Sequence, residues 1–310
     1  MTNSIVIGVD IGGSHITAMG VDLHKKTLLK SIVSRKHVDC HETADCILTT
    51  WTEALKEVIS QIPNEAIQGI GFAMPGPFDY PAGIAHFKGV MKYDNLNNVD
   101  VREEIYQRLG LSHQIPVRFL NDATCFAIGE AWMGPAANYQ RSMAITLGTG
   151  FGSAFLDDGI PVEKGDEVPE SGCVYHLPFG NSNADDHFSS RWFKRVYEER
   201  FSRESGGVKE MSEEAKKDPE VQAIFTEFGQ NLGNFLAPWL VRFRAGCLTI
   251  GGNISRGYEL FEKPFRTALR SHNCSTDVFL SELGECAAIA GSARLTDDTF
   301  YLNLPFISNK

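Results

Sequence analysis

The segment IVIGVDIGGSHITAMGVD, residues 5–22, joins two apolar runs through a turn that contains two glycines and a hydroxyl and is preceded by a carboxylate. The runs over 5–10 and 16–22 have the length and β-branched composition of strands. A third run over 28–33 follows the polar turn HKKT. We therefore predict an antiparallel meander of three strands.

The same pattern recurs in SMAITLGTGFGSAFLDDGIPVE, residues 142–163, as strand, glycine-rich turn, strand, DDG turn and strand. Ile7 and Ile145 occupy matching places 138 residues apart, which indicates a duplication of domain size. Helical periodicity alternates with short apolar runs elsewhere. Helices are predicted over 43–62, 101–109 and 123–133, and strands over 67–73, 117–120, 247–250 and 278–280.

The chain length and the alternation of predicted strands and helices predict an α/β protein of two lobes. A chain of 310 residues is long for one hydrophobic core, because single domains usually run to about 100 to 200 residues. We predict an N-terminal lobe over residues 1–120, completed by 295–310, and a C-terminal lobe over 121–294. Each lobe opens with a hairpin whose turn is rich in glycine, and we expect the two to face each other across a ligand-binding cleft.

The composition argues against nucleic acid as a partner. The formal net charge is -10, whereas binding a phosphate backbone requires a concentrated basic face. The N-terminus lacks the layout of a signal peptide, and no apolar run approaches the ~18 residues of a membrane span. We therefore expect a cytoplasmic protein with no membrane partner. Its seven cysteines are expected to be reduced thiols, and a homodimer is the expected assembly.

The two glycine-rich turns suit an oligophosphate, because phosphate approaches main-chain N–H groups closely only where side chains are absent. The residues concerned are Gly12 and Gly13 in the first turn and Gly148, Gly150 and Gly152 in the second, with hydroxyls from Ser14 and Thr149. Asp10, at the end of its strand, could hold Mg2+ through water. The alternative is that the glycines only supply positive φ at hairpin turns. Two such turns at equivalent places favour phosphate.

Two other junctions join strand to helix. FLNDATCFAIGEAWMG, residues 119–134, places Asn121 and Asp122 where an apolar strand meets a helix. Asp122 there could cap the helix, or it could accept the proton of a hydroxyl that attacks phosphorus. LTIGGNISRG, residues 248–257, offers a third glycine pair that is either a nucleotide contact or a tight turn.

Three further segments leave alternatives open. GFAMPGPFDYPAG, residues 71–83, is a constrained loop that could line a substrate pocket or be a rigid turn. KHVDCHETADC, residues 36–46, and ESGCVYHLPFGNSNADDHF, residues 170–188, contain cysteine and histidine. Neither has the Cys-x2-Cys spacing of a structural zinc site, so we expect no zinc.

The motifs DIGGS, PGP, NDAT, GTGFG and GGNIS, in that order and at those distances, resemble the ROK family (repressor, open reading frame, kinase) of sugar kinases. ROK proteins belong to the actin-like and hexokinase-like ATPase superfamily. The resemblance spans nearly the whole chain and implies a glucokinase-like protein. It implies two ribonuclease-H-like lobes with an interlobe cleft that closes on ATP, Mg2+ and a sugar.

The resemblance also assigns roles to residues. It places Asp10, Gly12, Gly13 and Ser14 in the first phosphate motif, Thr149 and Gly150 in the second, and Gly251, Gly252 and Asn253 in the adenosine motif. Asp122 matches the catalytic base, which in this family activates a hexose hydroxyl, commonly that on carbon 6. The implied sugar contacts are Gly76, Asn121, Asp122 and Glu170.

One segment departs from the family. PESGC, residues 169–173, stands where Gly-Glu-x-Gly-His is usual, so Cys173 replaces a histidine that commonly touches both sugar and zinc. The cysteine-rich zinc loop that normally follows is missing. His176 and Asp186 are the expected substitutes as sugar contacts, the latter because Ser190 follows it by four as in the family.

The sequence therefore predicts an ATP-dependent sugar kinase. A non-catalytic sugar-binding regulator is the main alternative, because the altered segment lies among the sugar contacts and the family includes repressors. A third possibility is an ATPase of the same fold that acts on an acyl group or a non-sugar hydroxyl.

Overall fold

The computed structural model describes residues 5–62, 67–90 and 92–308 of the chain. It divides into an N-terminal unit of Met1–Gly134 with Glu285–Lys310, and a C-terminal unit of Pro135–Gly284. These bounds differ from the predicted lobes, which placed 121–134 and 285–294 in the second lobe. The difference has a packing cause, described below.

The N-terminal unit is built on a mixed five-stranded sheet with the strand order β3-β2-β1-β4-β7. Its strands are β1 (Ile5–Ile11), β2 (His15–Asp22), β3 (Thr27–His37), β4 (Ile67–Met74) and β7 (Val117–Asn121), with a small hairpin of β5 (Phe78–Asp79) and β6 (Ile84–Ala85). Its helices are α1 (Ala44–Ile59), α2 (Val101–Leu109), α3 (Asp122–Met133), α9 (Cys286–Arg294), α10 (Asp298–Leu302) and α11 (Pro305–Ser308). The predicted meander is confirmed, because β2 pairs antiparallel with both β1 and β3.

The C-terminal unit repeats this sheet with the order β10-β9-β8-β13-β14. Its strands are β8 (Arg141–Leu147), β9 (Phe151–Asp157), β10 (Ile160–Pro161), β13 (Cys247–Gly251) and β14 (Asp277–Leu280), with a hairpin of β11 (Pro178–Phe179) and β12 (Ser182–Asn183). Its helices are α4 (Ala184–His187), α5 (Ser190–Phe201), α6 (Val208–Ala215), α7 (Pro219–Phe243) and α8 (Tyr258–Ser271). Matching strand order and matching parallel and antiparallel pairs confirm the duplication.

The first strand is buried on both faces because it lies at the centre of its sheet. Side chains alternate between the two faces of a strand, so Ile7 and Val9 enter one core while Val6 enters the other. The first core receives the apolar face of α1, including fully buried Trp51. The helix begins where the side chain of Thr43 accepts a hydrogen bond from the Cys46 backbone N–H.

Helix α9 lies against the other face at unusually short range. A Cβ added at Gly8 or Gly71 would overlap backbone carbonyl oxygens of that helix, at Ile289 and Ser292. On its other side α9 packs on α3 in the same way, because a Cβ at Gly291 would overlap the carbonyl of Cys125. This backbone-to-backbone packing places α3 and α9 in the N-terminal unit, whereas the linear sequence placed both in the second lobe.

Strand register brings separate segments to one edge of each sheet. Parallel pairing matches Asp10 with Ala73 and Ala73 with Leu120, so the chain leaves β1, β4 and β7 at the same edge. In the C-terminal unit, Thr146 of β8 pairs with Gly251 of β13, so their following turns also share an edge. Carboxyl edges of this kind are where α/β proteins bind their ligands.

The packing of α9 predicts a large loss of stability on adding one methyl group. Gly71→Ala should lower the free energy of unfolding by about 3 kcal/mol, because the overlapping atom belongs to a helix backbone that cannot move away. Gly148→Ala is the matched control: no atom lies within 4 Å of its added Cβ, and we expect a change below about 1 kcal/mol. Denaturant unfolding measures both, and equal losses would contradict the packing.

Candidate functional site

The turn after β1 is held open by main-chain hydrogen bonds and by one buried phenol. The Gly12 N–H donates to the His15 carbonyl at 2.9 Å, and the Val38 N–H donates to the Ser14 carbonyl at 2.8 Å. The hydroxyl of Tyr93 donates to the Gly12 carbonyl at 2.6 Å. The turn is therefore fixed by bonds within the hairpin and by bonds from Val38 and Tyr93 outside it.

Two side chains lie at the surface of this turn. The hydroxyl of Ser14 is 2.9 Å from Nδ1 of His15, within hydrogen-bond distance. The side chain of Lys92 lies over Gly13, with Nζ 3.3 Å from the place a Cβ would occupy there. A lysine therefore lies beside a turn that the sequence predicts to bind phosphate.

Asn121 and Asp122 begin α3 with a shared network. The helix is capped by Asn121, whose Oδ1 accepts from the Thr124 N–H at 3.1 Å. Its Nδ2 donates to Oδ1 of Asp122 at 2.9 Å, and the same oxygen accepts the Ala123 N–H at 2.8 Å. Capping therefore belongs to Asn121, and Asp122 is the first helical residue with its orientation fixed by two donors.

Buried negative charge dominates the electrostatics at this edge. Burial of the Asp10 carboxyl, together with the nearby carboxylates of Asp122 and Glu285, raises its pKa to about 7 against the opposing charge of Arg35. Arg35 itself pairs with Glu285 at 2.9 Å. Burial also raises the pKa of Asp122, while the Ala123 N–H, the Lys92 charge and Asn121 oppose the shift.

This donor set fits a hard divalent cation. Mg2+ binds one or two carboxylates and completes its shell with water and phosphate oxygens. Asp10 offers a half-buried carboxylate whose pKa is raised mainly by burial, and a cation beside it would favour the ionised form. The structure therefore provides oxygen ligands for such an ion at the end of β1.

Gly76 lies in the loop that leaves β4 at the same edge. The peptide bond between Gly76 and Pro77 is cis. The hydroxyl of Tyr80 donates to the Met74 carbonyl at 3.3 Å and would lie 3.4 Å from a Cβ at Gly76. The N-terminal unit thus gathers the predicted residues Asp10, Gly12, Gly13, Ser14, Gly76, Asn121 and Asp122 at one edge.

The second glycine turn is held by a carboxylate and a guanidinium. Gly148 donates its N–H to the Gly150 carbonyl at 3.0 Å. Oδ1 of Asp185 accepts the Phe151 N–H at 2.7 Å, and Arg191 donates to the Thr149 carbonyl at 2.7 Å. The Arg191 guanidinium also pairs with Asp185, so the charges at the turn are balanced.

The third glycine pair lies directly against the second turn. Gly252 has φ +85°, and a Cβ at that position would overlap the Leu147 carbonyl, so the position requires glycine on two grounds. The hydroxyl of Ser255 donates to the Gly252 carbonyl at 2.7 Å. Asn253 is exposed at the start of the following 3-10 helix. The predicted nucleotide residues Thr149, Gly150, Gly251, Gly252 and Asn253 therefore share one edge of the C-terminal unit.

The segment that departs from the family lies in the same unit. Glu170 and His176 are exposed, and the half-buried Cys173 thiol lies 3.8 Å from Nδ1 of His176. Burial and the charge of Glu163 raise the pKa of Cys173 to about 11, so the thiol is neutral at physiological pH. Asp186, in α4, lies 3.9 Å from the Arg191 guanidinium.

Part of the first cysteine–histidine segment comes together in space. Asp39, Cys40 and His41 bring possible ligand atoms within 4.8 Å of one another, whereas Cys46 lies in α1. The Asp39 carboxylate already accepts the His41 N–H at 2.9 Å. The seven cysteines of the chain, including these two, are free thiols.

Sequence reasoning missed four residues that hold or flank the glycine turns: Lys92, Tyr93, Asp185 and Arg191. Lys92 and Tyr93 stand in GVMKYDN, residues 89–95, which has neither periodicity nor a glycine pair. A lysine beside an aromatic residue is too common a pair to identify a site.

The two matching sheets have the fold of the actin-like and hexokinase-like ATPase class. The chain belongs to the ROK family, whose model matches residues 6–299. In the described part of the chain, no helix is long and apolar enough to span a membrane.

Individual relatives agree with this assignment. A glucokinase of Thermotoga maritima is 26% identical, covering 94% of this chain and 96% of its own. An N-acetyl-D-glucosamine kinase of Pectobacterium carotovorum is 24% identical, covering 82% of this chain and 86% of its own. The crystal structure of a ROK family glucokinase from Streptomyces griseus in complex with glucose and AMPPNP has a TM-score of 0.72 at 23% identity, covering 94% of this chain and 98% of that one.

The buried carboxylate of Asp10 predicts a pH-dependent stability. Its pKa rises from 3.8 to about 7 on folding, so the unfolded chain loses this proton at lower pH than the folded chain does. Asp10 therefore costs the wild type stability as pH rises from about 4 to 7, and the cost is constant above that range. Asp10→Asn removes the cost.

We expect Asp10→Asn to gain about 2 kcal/mol over the wild type on going from pH 5 to pH 8, without divalent cation. Thermal unfolding of both proteins at the two pH values measures this double difference. A difference between variant and wild type that does not change with pH would contradict it.

Proposed function

We propose that this protein is an ATP-dependent sugar kinase that transfers the γ-phosphoryl group of ATP to a hydroxyl of a hexose or amino sugar, the 6-hydroxyl being the proposed acceptor. The observation that carries the proposal is the position of Asp122. Its carboxylate is held at the same sheet edge as Asp10 and the first glycine turn, with its orientation fixed by the Ala123 N–H and by Asn121.

Asp122 is the proposed general base. Oδ1 of Asp122 accepts from both donors, and Oδ2, which accepts no hydrogen bond from the described residues, is proposed to accept the proton of the attacking hydroxyl. The raised pKa of Asp122 brings its basicity closer to neutral pH, while the Lys92 charge opposes the shift. Asn121 therefore orients the base in addition to its proposed contact with sugar.

The glycine turns are the proposed phosphate contacts. In the first turn, Gly13 and Ser14 are proposed to offer main-chain N–H groups and the Ser14 hydroxyl, while Gly12, whose N–H is bonded within the turn, lets phosphate approach because it has no side chain. Mg2+ held through water by Asp10 would neutralise charge on the phosphates when it is bound. In the C-terminal unit, Thr149 and Gly150 are proposed to contact phosphate, and Gly251, Gly252 and Asn253 to contact the nucleoside.

Sugar contacts are proposed on both units, and those on the C-terminal unit fall in the altered segment. Gly76 and Asn121 would contact sugar from the N-terminal unit, and Glu170, His176 and Asp186 from the C-terminal unit. The neutral thiol of Cys173 replaces a ring that can both donate and accept. Discrimination between epimers depends on whether a few polar groups find their hydroxyl partners, so this replacement should change sugar preference.

The assembly and location are proposals as well. We propose a cytoplasmic homodimer, and the seven free thiols suit a reducing compartment. Sedimentation equilibrium is expected to give about twice the 34.3 kDa of one chain at micromolar concentration. A single species of one chain's mass across that range would contradict the dimer.

Replacing the proposed base should abolish turnover and leave the fold intact. We expect Asp122→Asn to lower kcat by about 10³-fold, because the amide keeps the shape but cannot accept the proton. Asp158→Asn is the matched control, since this exposed aspartate lies in the β9–β10 turn with φ +48°, a conformation that asparagine tolerates. ADP release over a panel of hexoses and amino sugars at saturating Mg-ATP measures both variants.

Two results would count against the proposal. A fully active Asp122→Asn enzyme would remove the proposed base. A wild type that binds a sugar by calorimetry but turns over none of the panel would favour the non-catalytic regulator, which the altered 169–190 segment would then explain.

The same base predicts the direction of the pH profile. Because Asp122 must be ionised to accept a proton, kcat/KM should fall as pH falls through its pKa, and burial raises that pKa above the usual carboxyl range. The acidic limb of the wild-type profile of kcat/KM against pH measures this pKa. A profile that stays flat down to the usual carboxyl range would contradict a buried carboxylate base.

A further inference from the structure

Lys92 is an uncommitted cation placed over the first glycine turn. Its Nζ, Cε and Cδ atoms lie 3.3, 3.4 and 3.7 Å from the place a Cβ would take on Gly13. Its charge acts on the Asp122 carboxylate. Within residues 5–62, 67–90 and 92–308, no carboxylate lies within 4 Å of its ammonium group. A long exposed lysine that lies along a glycine and has no ion pair is available to a ligand.

The backbone beside Lys92 is anchored, so its place over the turn is not that of a free surface loop. Tyr93 is fully buried and has φ +59°, an uncommon conformation for a residue with a side chain. Its ring packs against Trp51 and Phe87, its N–H donates to the Cys40 carbonyl at 3.0 Å, and its hydroxyl donates to the Gly12 carbonyl.

A second anchor follows two residues later. The amide of Asn95 donates to the carbonyls of His41 and Glu42, at 3.0 and 2.8 Å. The segment that carries Lys92 is therefore tied both to the glycine turn and to the chain before α1. The hydroxyl of Tyr93, the residue after Lys92, bonds directly to the turn over which the lysine side chain lies.

The carboxylates at this edge carry negative charge that a cation such as Lys92 can balance. Asp10, Asp122 and Glu285 bring three carboxylates together, and the nearby cation Arg35 is paired with Glu285. Phosphoryl transfer spreads negative charge over the transferred group, and cationic side chains placed there stabilise its transition state. Lys92 lies beside Gly13 and acts on Asp122 electrostatically, so it can supply that charge.

We propose that the ammonium group of Lys92 contacts the γ-phosphoryl group and stays with it during transfer, which makes Lys92 a catalytic residue. The inference rests on the proposed function. In the step, the bond from phosphorus to the sugar oxygen forms and the bond from phosphorus to the β–γ bridging oxygen breaks. The bond pair leaves with ADP, the hydroxyl proton passes to Asp122, and Lys92 keeps its proton.

The competing explanation is that Lys92 only balances the charge of Asp122 in the free protein. The two differ in what the lysine recognises. A γ-phosphate contact favours ATP over ADP, whereas charge balance on Asp122 affects both nucleotides equally. The two explanations also predict different kinetics. A γ-phosphate contact that strengthens in the transition state affects kcat rather than the KM for sugar.

The test compares three variants of the full chain with the wild type. Lys92→Met removes the charge and keeps the length of the side chain, and Lys92→Arg keeps the charge. Lys88→Met is the matched control, because Lys88 is an exposed lysine of the same loop with no contact to Gly13. Unfolding curves of the variants are compared first, so that each is studied as a folded protein.

We expect Lys92→Met to lower kcat about 100-fold with the KM for sugar within about threefold of the wild type. Lys92→Arg should recover most of the loss, and Lys88→Met should stay within about twofold of the wild type. In calorimetry, Lys92→Met should weaken Mg-ATP binding about tenfold and leave Mg-ADP binding unchanged.

Failure of this inference and failure of the proposed function give different results. An active wild type with an equally active Lys92→Met variant overturns the inference alone, as does equal weakening of ATP and ADP. A wild type that turns over no sugar overturns the proposed function, and the ATP-to-ADP comparison then decides whether Lys92 contacts the γ-phosphate. A wild type that binds neither nucleotide overturns both.

Discussion

The parallel register of β1, β4 and β7 is the constraint on which the candidate site of the N-terminal unit depends. A slip of one residue in β1 would move Asp10 to the opposite face of the sheet, because side chains alternate along a strand. Asp10 shares its face with Val6 and Gly8, and that face is covered by α9. The close approach of α9 to Gly8 and Gly71 therefore helps to fix which residues reach the edge.

The same packing explains the electrostatics of the edge. Helices α3 and α9 lie side by side at backbone distance, and each begins near the edge, with Asp122 as first residue of α3 and Glu285 preceding α9. Helix N-termini favour carboxylates by about 0.3–1 kcal/mol each. Burial of the Asp10 carboxyl is the main reason that its pKa rises to about 7, and the two neighbouring carboxylates add to the shift. A bound cation and the Lys92 charge would offset part of the negative charge that the carboxylates bring to this edge.

Much of the fold and several features of the candidate site could be predicted from the sequence, because they depend on local sequence patterns. The meander, the duplication and the strand–helix junction at Asn121 all have a period, a glycine pair or a cap within a few residues. The lobe boundary could not be predicted, because it depends on contacts between Gly291 and Cys125, which are far apart in sequence. Lys92 could not be predicted either, since its place depends on a hydrogen bond between Tyr93 and Gly12.

The two copies of the hairpin share topology but stabilise their glycine turns by different chemistry, and this limits what each turn can bind. In the C-terminal unit, the Phe151 N–H is already committed to the Asp185 carboxylate, so it is not free to receive a phosphate oxygen. In the N-terminal unit, the hydroxyl of Tyr93 instead donates to the Gly12 carbonyl of the turn. Arg191 is paired with Asp185, whereas Lys92 has no such partner among the described residues. The described residues therefore place an unpaired positive charge at the turn of the N-terminal unit, which also carries Asp122, and a balanced ion pair at the turn of the C-terminal unit.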